Sequence, residues 1–183
     1  MASIEDTLKK FNKDKKEEDK VQILGDTQLI RTTTSTGSPY LDYITGGGFM
    51  NGAYNMEIAS GGVGKSSIAL LACKDTIERR GKIAVYLDGE RTLNESYLSR
   101  MKVPKDKFIH IVGRNLEEML DNAELFAQSE DVGIIVMDSI PIFVASAVEA
   151  KSAGENSIGN EAKRYTTRMP IIEGYSSKRE ICL

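Results

Sequence analysis

The run Ala59-Ser60-Gly61-Gly62-Val63-Gly64-Lys65-Ser66 holds the most specific chemistry in the sequence. Small residues let consecutive backbone N–H groups converge on one anion, and a helix opening at the lysine adds the positive end of its dipole. A lysine at the end of such a loop reaches the outer phosphates of a nucleotide, and the hydroxyl after it can ligate Mg²⁺. Ala53-Tyr54-Asn55-Met56-Glu57-Ile58 precedes the loop as an expected strand, and a long helical pattern through Ser67 follows it. Strand, glycine loop and helix thus stand in phosphate-binding order, the arrangement of a Walker A loop, with Ala59 where the motif usually has glycine.

Two acidic residues lie where such a loop needs them. Ile134-Ile135-Val136-Met137-Asp138-Ser139 is an apolar run ending in a carboxylate, the pattern of a Walker B element whose Asp orders Mg²⁺ beside the phosphates. The plain alternative is a strand-end Asp that caps a turn, and the Walker A loop upstream favours the metal role. Tyr86-Leu87-Asp88-Gly89-Glu90 ends another run and puts Glu90 at the carboxyl edge of a sheet, where a glutamate can orient or deprotonate an attacking water. Its plain alternative is a solvent-facing loop acid. His110, the sole histidine, begins His110-Ile111-Val112 with no acid or nucleophile at a telling sequence distance, and reads as a strand residue. Cys73 and Cys182 have no metal or disulfide spacing and read as buried or unreactive thiols.

The elements that must position these groups follow from periodicity and punctuation. Ser38-Pro39 is an N-cap and first-turn proline, opening a short helix that ends at Gly46-Gly47-Gly48. The helix after the glycine loop runs to about Arg80 and stops at Gly81, with Ile68, Leu71, Ala72 and Ile77 expected to cover a sheet. Apolar runs Ile83 to Leu87, Phe108 to Val112 and Val132 to Met137 alternate with helical patterns after Asn94 and Asn115. The second of these helices carries Leu116, Met119, Leu120, Ala123 and Phe126 on one face. Strands alternating with helices predict an α/β fold with a mainly parallel, covered sheet. The stretch from Ala145 to Asn160 is rich in small residues and reads as a long mobile loop.

The N-terminal segment differs in kind. Between Glu5 and Lys20 six acidic residues balance six basic ones, and Ile4, Leu8 and Phe11 form the only apolar stripe, as in an exposed or partner-seeking helix. Val21-Gln22-Ile23-Leu24 alternates like a short strand with no hairpin partner nearby. The whole chain of 183 residues, 40% hydrophobic and 28% charged, suits a soluble globular protein. Its apolar runs fall far short of a membrane span and its start lacks an apolar signal core, so the expectation is no membrane and a cytoplasmic setting. A formal net charge of −3 excludes a chain coated in positive charge but permits a local basic site.

Taken in order, these motifs resemble the RecA recombinase family, including its phage-encoded branch, over almost the whole chain. The resemblance rests on Ser35-Thr36-Gly37-Ser38-Pro39-Tyr40-Leu41-Asp42, the approach from Gly48 to Gly52, the Walker A loop, Leu87-Asp88-Gly89-Glu90 and Val136-Met137-Asp138-Ser139. It implies a RecA-type P-loop NTPase core over 35–183 and an oligomerisation arm and linker over 1–34. ATP and Mg²⁺ are the implied cofactors, held by residues 59–67 with Ser66 and Asp138 on the metal. Lys65 and Glu90 are the implied catalytic pair. Tyr97 matches the aromatic that packs on adenine, and Asn94 stands where the family often has Asp.

By the same resemblance the loop from about Glu149 to Ile158 is a first DNA-binding loop, with Ile158-Gly159 at its wedge and Lys163 and Thr166 at phosphate-contacting positions. Arg164 and Arg168 lie in the same basic region: residues 158–183 hold five basic side chains against three acidic ones. Lysine and arginine neutralise phosphates without reading sequence, which suits single-stranded DNA of any composition. A solvated charged helix is the plain alternative. The helix and strand from Ser3 to Leu24 are implied to dock on a neighbouring subunit in a helical filament, by strand addition.

The resemblance further implies that the core continues beyond Leu183, so the chain is expected to be C-terminally incomplete. The next strand of the family lies between the Walker A and Walker B strands and ends in a polar sensor. The expected function is an ATP-dependent recombinase binding single-stranded DNA, or its N-terminal portion, in a bacterial or phage-infected cell. The alternatives are another RecA-fold ATPase or helicase-type motor, and an inactive nucleotide-binding or interaction module.

Overall fold

The computed structural model describes residues 3–16, 20–21, 32–113, 115–140 and 157–183, with side chains from Lys163 onward in the last segment. The chain divides into two compact units, Met1–Arg31 and Thr32–Leu183.

In the first unit, α1 (Ile4–Asn12) starts from a capping box: Ser3 Oγ accepts from the Asp6 N–H at 3.1 Å, and the Asp6 carboxylate accepts from the Ser3 N–H at 3.3 Å. No residue of α1 is buried, and Ile4 and Phe11 stay exposed. The Asn12 side chain pairs with both backbone groups of Val21, donating at 2.7 Å and accepting at 2.9 Å, much as a neighbouring strand would. The rest of the expected strand, Gln22 to Leu24, lies outside the described residues.

The second unit opens with β1 (Thr33–Thr34), antiparallel to β2 (Phe49–Met50). Between them lies α2 (Pro39–Thr45), capped by Ser38 and ended by Gly46 at φ 75°, as its punctuation predicts. The Asp42 carboxylate gathers the Ser35 hydroxyl and the Thr36 N–H and hydroxyl. Burial works to raise its pKa, but these donors outweigh burial and lower it. The Ser35-to-Asp42 motif is therefore a turn built around a carboxylate. Gly37 sits in it at φ 75°, where a Cβ would come within 2.6 Å of Leu71.

Next come α3 (Lys65–Arg80), β3 (Ile83–Asp88), α4 (Glu95–Met101), β4 (Phe108–Val112), α5 (Leu116–Ala127), β5 (Val132–Asp138) and α6 (Ser157–Arg179). Side chains of Asn94 and Asn115 cap α4 and α5, and Gly81 closes α3 in the left-handed region. The strands form a parallel sheet in the order β4-β3-β5.

Helices cover both faces of this sheet. Val85 and Leu87 pack with Leu116, Met119, Leu120 and Ile172 on one side, while Ala84 and Tyr86 pack with Leu70, Cys73 and Ile134 on the other. The α3 face is rotated from expectation: Leu70, Ala72, Cys73 and Ile77 are buried, whereas Ile68 and Leu71 are only half-buried. Both cysteines are free and buried, and burial pushes the Cys182 thiol up to about 12.

Two expectations need correction. Residues 157–160, read as the end of a mobile loop, are the first turn of α6; residues 145–156 of that reading lie outside the described residues. Ala53 to Ile58 is not a strand. Ile181–Leu183 runs beside β5, with Cys182 parallel to Ile134, and on its other side Gly52, Ala53 and Asn55 bond to Ile181 and Leu183. These few rungs end at Asn55. Among the described residues Met56 and Ile58 find no ladder, and they are 62% and 87% exposed, because a strand exists only where a partner supplies hydrogen bonds.

Candidate functional site

The glycine loop is an exposed turn between residue 58 and the first turn of α3. Gly62 and Gly64 adopt φ 77° and 105°, and a Cβ at Gly61, Gly62 or Gly64 would meet nothing within 4 Å, so the loop opens to solvent rather than to the core. Ala59 and Ser60 present their carbonyls to Lys65 Nζ at 3.0 Å each, which folds the lysine back over its own loop. Val63 is exposed at the rim.

Behind the loop, hydroxyl groups converge on the end of β5. Ser66 Oγ donates to Asp138 Oδ2 at 2.6 Å, and the phenol of buried Tyr86 donates to the same oxygen at 2.6 Å. Burial, the Asp138 charge and this hydrogen bond together hold the Tyr86 phenol well above the usual tyrosine range, with Ser66 opposing. Glu57 faces this group from the segment before the loop: burial first, then Asp138, raise its pKa to about 7, against the pull of Lys65.

The loop after β3 is built around Asp88. This fully buried carboxylate accepts from the backbone N–H groups of Arg91 at 2.7 Å and Leu93 at 3.2 Å, and His110 Nε2 lies 3.0 Å from its Oδ2. His110 therefore has an acid partner that its sequence position concealed. The turn so formed presents Glu90, whose Oε1 accepts from Ser139 Oγ at 2.8 Å. A cavity of about 590 Å³ brings together Glu57, Lys65, Ser66, Glu90, Asp138 and Ser139.

The remaining sequence-predicted residues are placed less simply. Ser67 Oγ and Tyr97 OH lie 2.7 Å apart, and the Arg100 guanidinium stands 5.5 Å over the Tyr97 ring. Asn94 spends its side-chain oxygen on the Tyr97 N–H. In α6, Ile158 and Gly159 lie in the first turn. Lys163 is exposed, while Thr166 Oγ1 donates to the Lys163 carbonyl at 3.0 Å. Arg164 pairs with Glu117 at 2.8 Å, and Arg168 reaches both Asp121 and Glu124 of α5, at 2.8 and 2.6 Å. The structure thus gathers Lys65, Ser66, Glu90 and Asp138 at one cavity, and turns Arg164 and Arg168 of α6 toward α5.

Sequence reasoning missed Tyr86, Ser139, Glu57 and the Asp88–His110 pair. Tyr86 is in register with Val136, and Asp88 with Asp138; His110 is in register with Tyr86. In both pairs a long side chain leans along its strand to a diagonal neighbour, a contact visible only once strand order and register are known.

A helix-covered parallel sheet, with a glycine loop opening a helix and acids at the carboxyl ends of neighbouring strands, defines an α/β core that brings loop and acids to one edge of the sheet. The RecA N-terminal domain family matches residues 2–183, and the chain belongs to the RecA family. The chain is 32% identical over 152 residues to "Protein RecA" of Synechocystis sp., an alignment covering 82% of this chain and 43% of that protein. It is 30% identical over 155 residues to "Protein RecA" of Leptospira meyeri, covering 84% and 40%. Against "Protein RecA" of Staphylococcus aureus it is 30% identical over 160 residues, covering 86% and 46%. The chain therefore spans less than half the length of these curated relatives. Among the described residues no helix is long and apolar enough to cross a membrane.

Proposed function

We propose that this chain binds Mg-ATP at the glycine loop and serves as the nucleotide- and DNA-binding portion of a strand-exchange recombinase. The observation that carries the reading is the 2.6 Å bond from Ser66 Oγ to Asp138 Oδ2. By giving its hydrogen to the carboxylate, Ser66 keeps its oxygen lone pairs available to a cation, and Asp138 supplies the balancing charge. Ser66 and Asp138 would hold Mg²⁺, which neutralises charge between the phosphates when bound. Backbone N–H groups of 60–66 would cradle the phosphates. Lys65 would exchange its two carbonyl contacts for phosphate oxygens, a charge-assisted and stronger partnership. Tyr97 and Asn94 would border the base. Glu90, oriented by Ser139, would accept a proton from the attacking water.

Single-stranded DNA would lie against the start of α6, with Ile158 and Gly159 at its wedge and Lys163 and Thr166 on phosphates. Arg164 and Arg168 would reach DNA only by leaving their partners on α5. Residues 1–34 would serve as the arm joining copies into a filament, and the cytoplasm is the setting such a protein requires. The test is binding of a fluorescent ATP analogue with and without Mg²⁺. Saturable, Mg²⁺-dependent binding is expected, and its absence overturns the reading. A second reading, binding without turnover, is favoured by the missing ladder at Met56 to Ile58, beside the loop that must hold the phosphates. Measured turnover against measured binding separates the two.

A further inference from the structure

We propose that Tyr86 is a positioning residue for the Mg²⁺ site, fixing the carboxylate of Asp138 through its phenol hydrogen bond. The inference rests on the Mg-ATP reading of the same site. Tyr86 is fully buried in the middle of β3, between strands supplied mostly by aliphatic residues, and its ring packs 6.1 Å from that of Phe108. Bulk alone would be met by phenylalanine, since a buried hydroxyl destabilises the core unless it finds a partner. Here the partner is the acid at the end of β5, reached diagonally across the sheet at 2.6 Å.

The consequence concerns which oxygen is used for what. Among the described residues, the donors Ser66 and Tyr86 both converge on Oδ2 of Asp138 and none on Oδ1. Two donors on one oxygen fix the carboxylate plane and occupy that oxygen, leaving Oδ1 as the oxygen with its lone pairs uncommitted among the described residues. Ser66 belongs to the first turn of a helix that opens from an exposed loop. Tyr86 comes from a buried central strand and holds the acid whether or not the loop is filled. Preorganisation of this kind places the cation's partner before it arrives, and small misplacement of such a group is costly.

The experiment is a titration of Mg²⁺ into the full chain with a fluorescent ATP analogue, comparing wild type, Tyr86→Phe, Asp138→Asn and the double variant, with an EDTA arm. Tyr86→Phe should raise the Mg²⁺ concentration for half-maximal binding by about tenfold, leave binding in EDTA unchanged, and have no further effect on the Asp138→Asn background. Equal Mg²⁺ dependence in Tyr86→Phe and wild type overturns the inference while leaving nucleotide binding intact. An effect that persists in the Asp138→Asn background overturns it too, as does failure of Tyr86→Phe to fold, because phenylalanine removes only the phenol oxygen. No binding by the wild type at any Mg²⁺ concentration instead removes the nucleotide reading beneath it.

Discussion

Ser139 Oγ donates to Glu90 Oε1 at 2.8 Å, joining the residue after β5 to the loop after β3. The bond leaves Glu90 its second oxygen and fixes the direction in which it points. Glu90→Gln should keep nucleotide affinity and slow hydrolysis by about 10²- to 10⁴-fold, since the amide preserves size and loses the base. Ser139→Ala should lower kcat by about tenfold with little change in KM, because it releases the orientation and keeps the base. Steady-state turnover beside equilibrium binding reads both; equal loss of binding in both variants would make Glu90 structural.

Asp88 is the keystone of the turn that presents Glu90. Replacing it with Ala leaves the N–H groups of Arg91 and Leu93 and the ring of His110 without their acceptor. Asp88→Ala should destabilise the second unit by about 2–4 kcal/mol, and Asp88→Asn by less, since the amide oxygen still accepts. Urea denaturation measures both. Equal stability of Asp88→Ala and wild type would contradict the assignment.

Glu57 gives the nucleotide-free protein a pH dependence of definite sign. Its folded pKa is raised from 4.5 to about 7 by burial and Asp138, so between those values the folded state binds more protons than the unfolded one. Stability therefore falls as pH rises through this window. Glu57→Gln should match wild type near the low end and be the more stable protein above pH 7. Urea midpoints across the window check this, and parallel pH profiles for the two proteins would contradict it.

On α6, neighbouring basic residues should behave differently. Lys163→Ala should weaken single-stranded DNA binding and reduce the salt slope by about one. Arg168→Ala removes a guanidinium held by both Asp121 and Glu124, so it should cost about 1 kcal/mol of stability beyond any effect on DNA. Fluorescence anisotropy at several salt concentrations, with thermal melting, separates the two roles. Equal salt slopes for wild type and Lys163→Ala would remove the lysine from the interface.

What was legible in the sequence is what local chemistry decides. Ser38, Asn94 and Asn115 cap helices because their side chains reach their own backbone, and Gly46 and Gly81 end helices because they alone adopt the left-handed region without strain. The strands β3, β4 and β5 were legible from their apolar runs, and the acids ending β3 and β5 from the charge at which those two runs stop. Contacts set by register were not: His110 and Asp88 are 22 residues apart, and Tyr86 and Asp138 are 52 apart. The helix at Ser157 was hidden by Ser157, Gly159 and Asn160, which read as loop, although its later turns are anchored by Met169 and Ile172 in the core. Ala53 to Ile58 has the pattern of a strand, but pattern cannot supply the neighbour that a ladder requires.

The central claim is that the glycine loop holds Mg-ATP with Lys65 on its outer phosphates. Isothermal titration calorimetry of wild type and Lys65→Ala with ATP and Mg²⁺ tests it most directly. Wild type should bind saturably and the variant at least about tenfold more weakly, for loss of a charge-assisted contact; undiminished binding by Lys65→Ala would contradict the account.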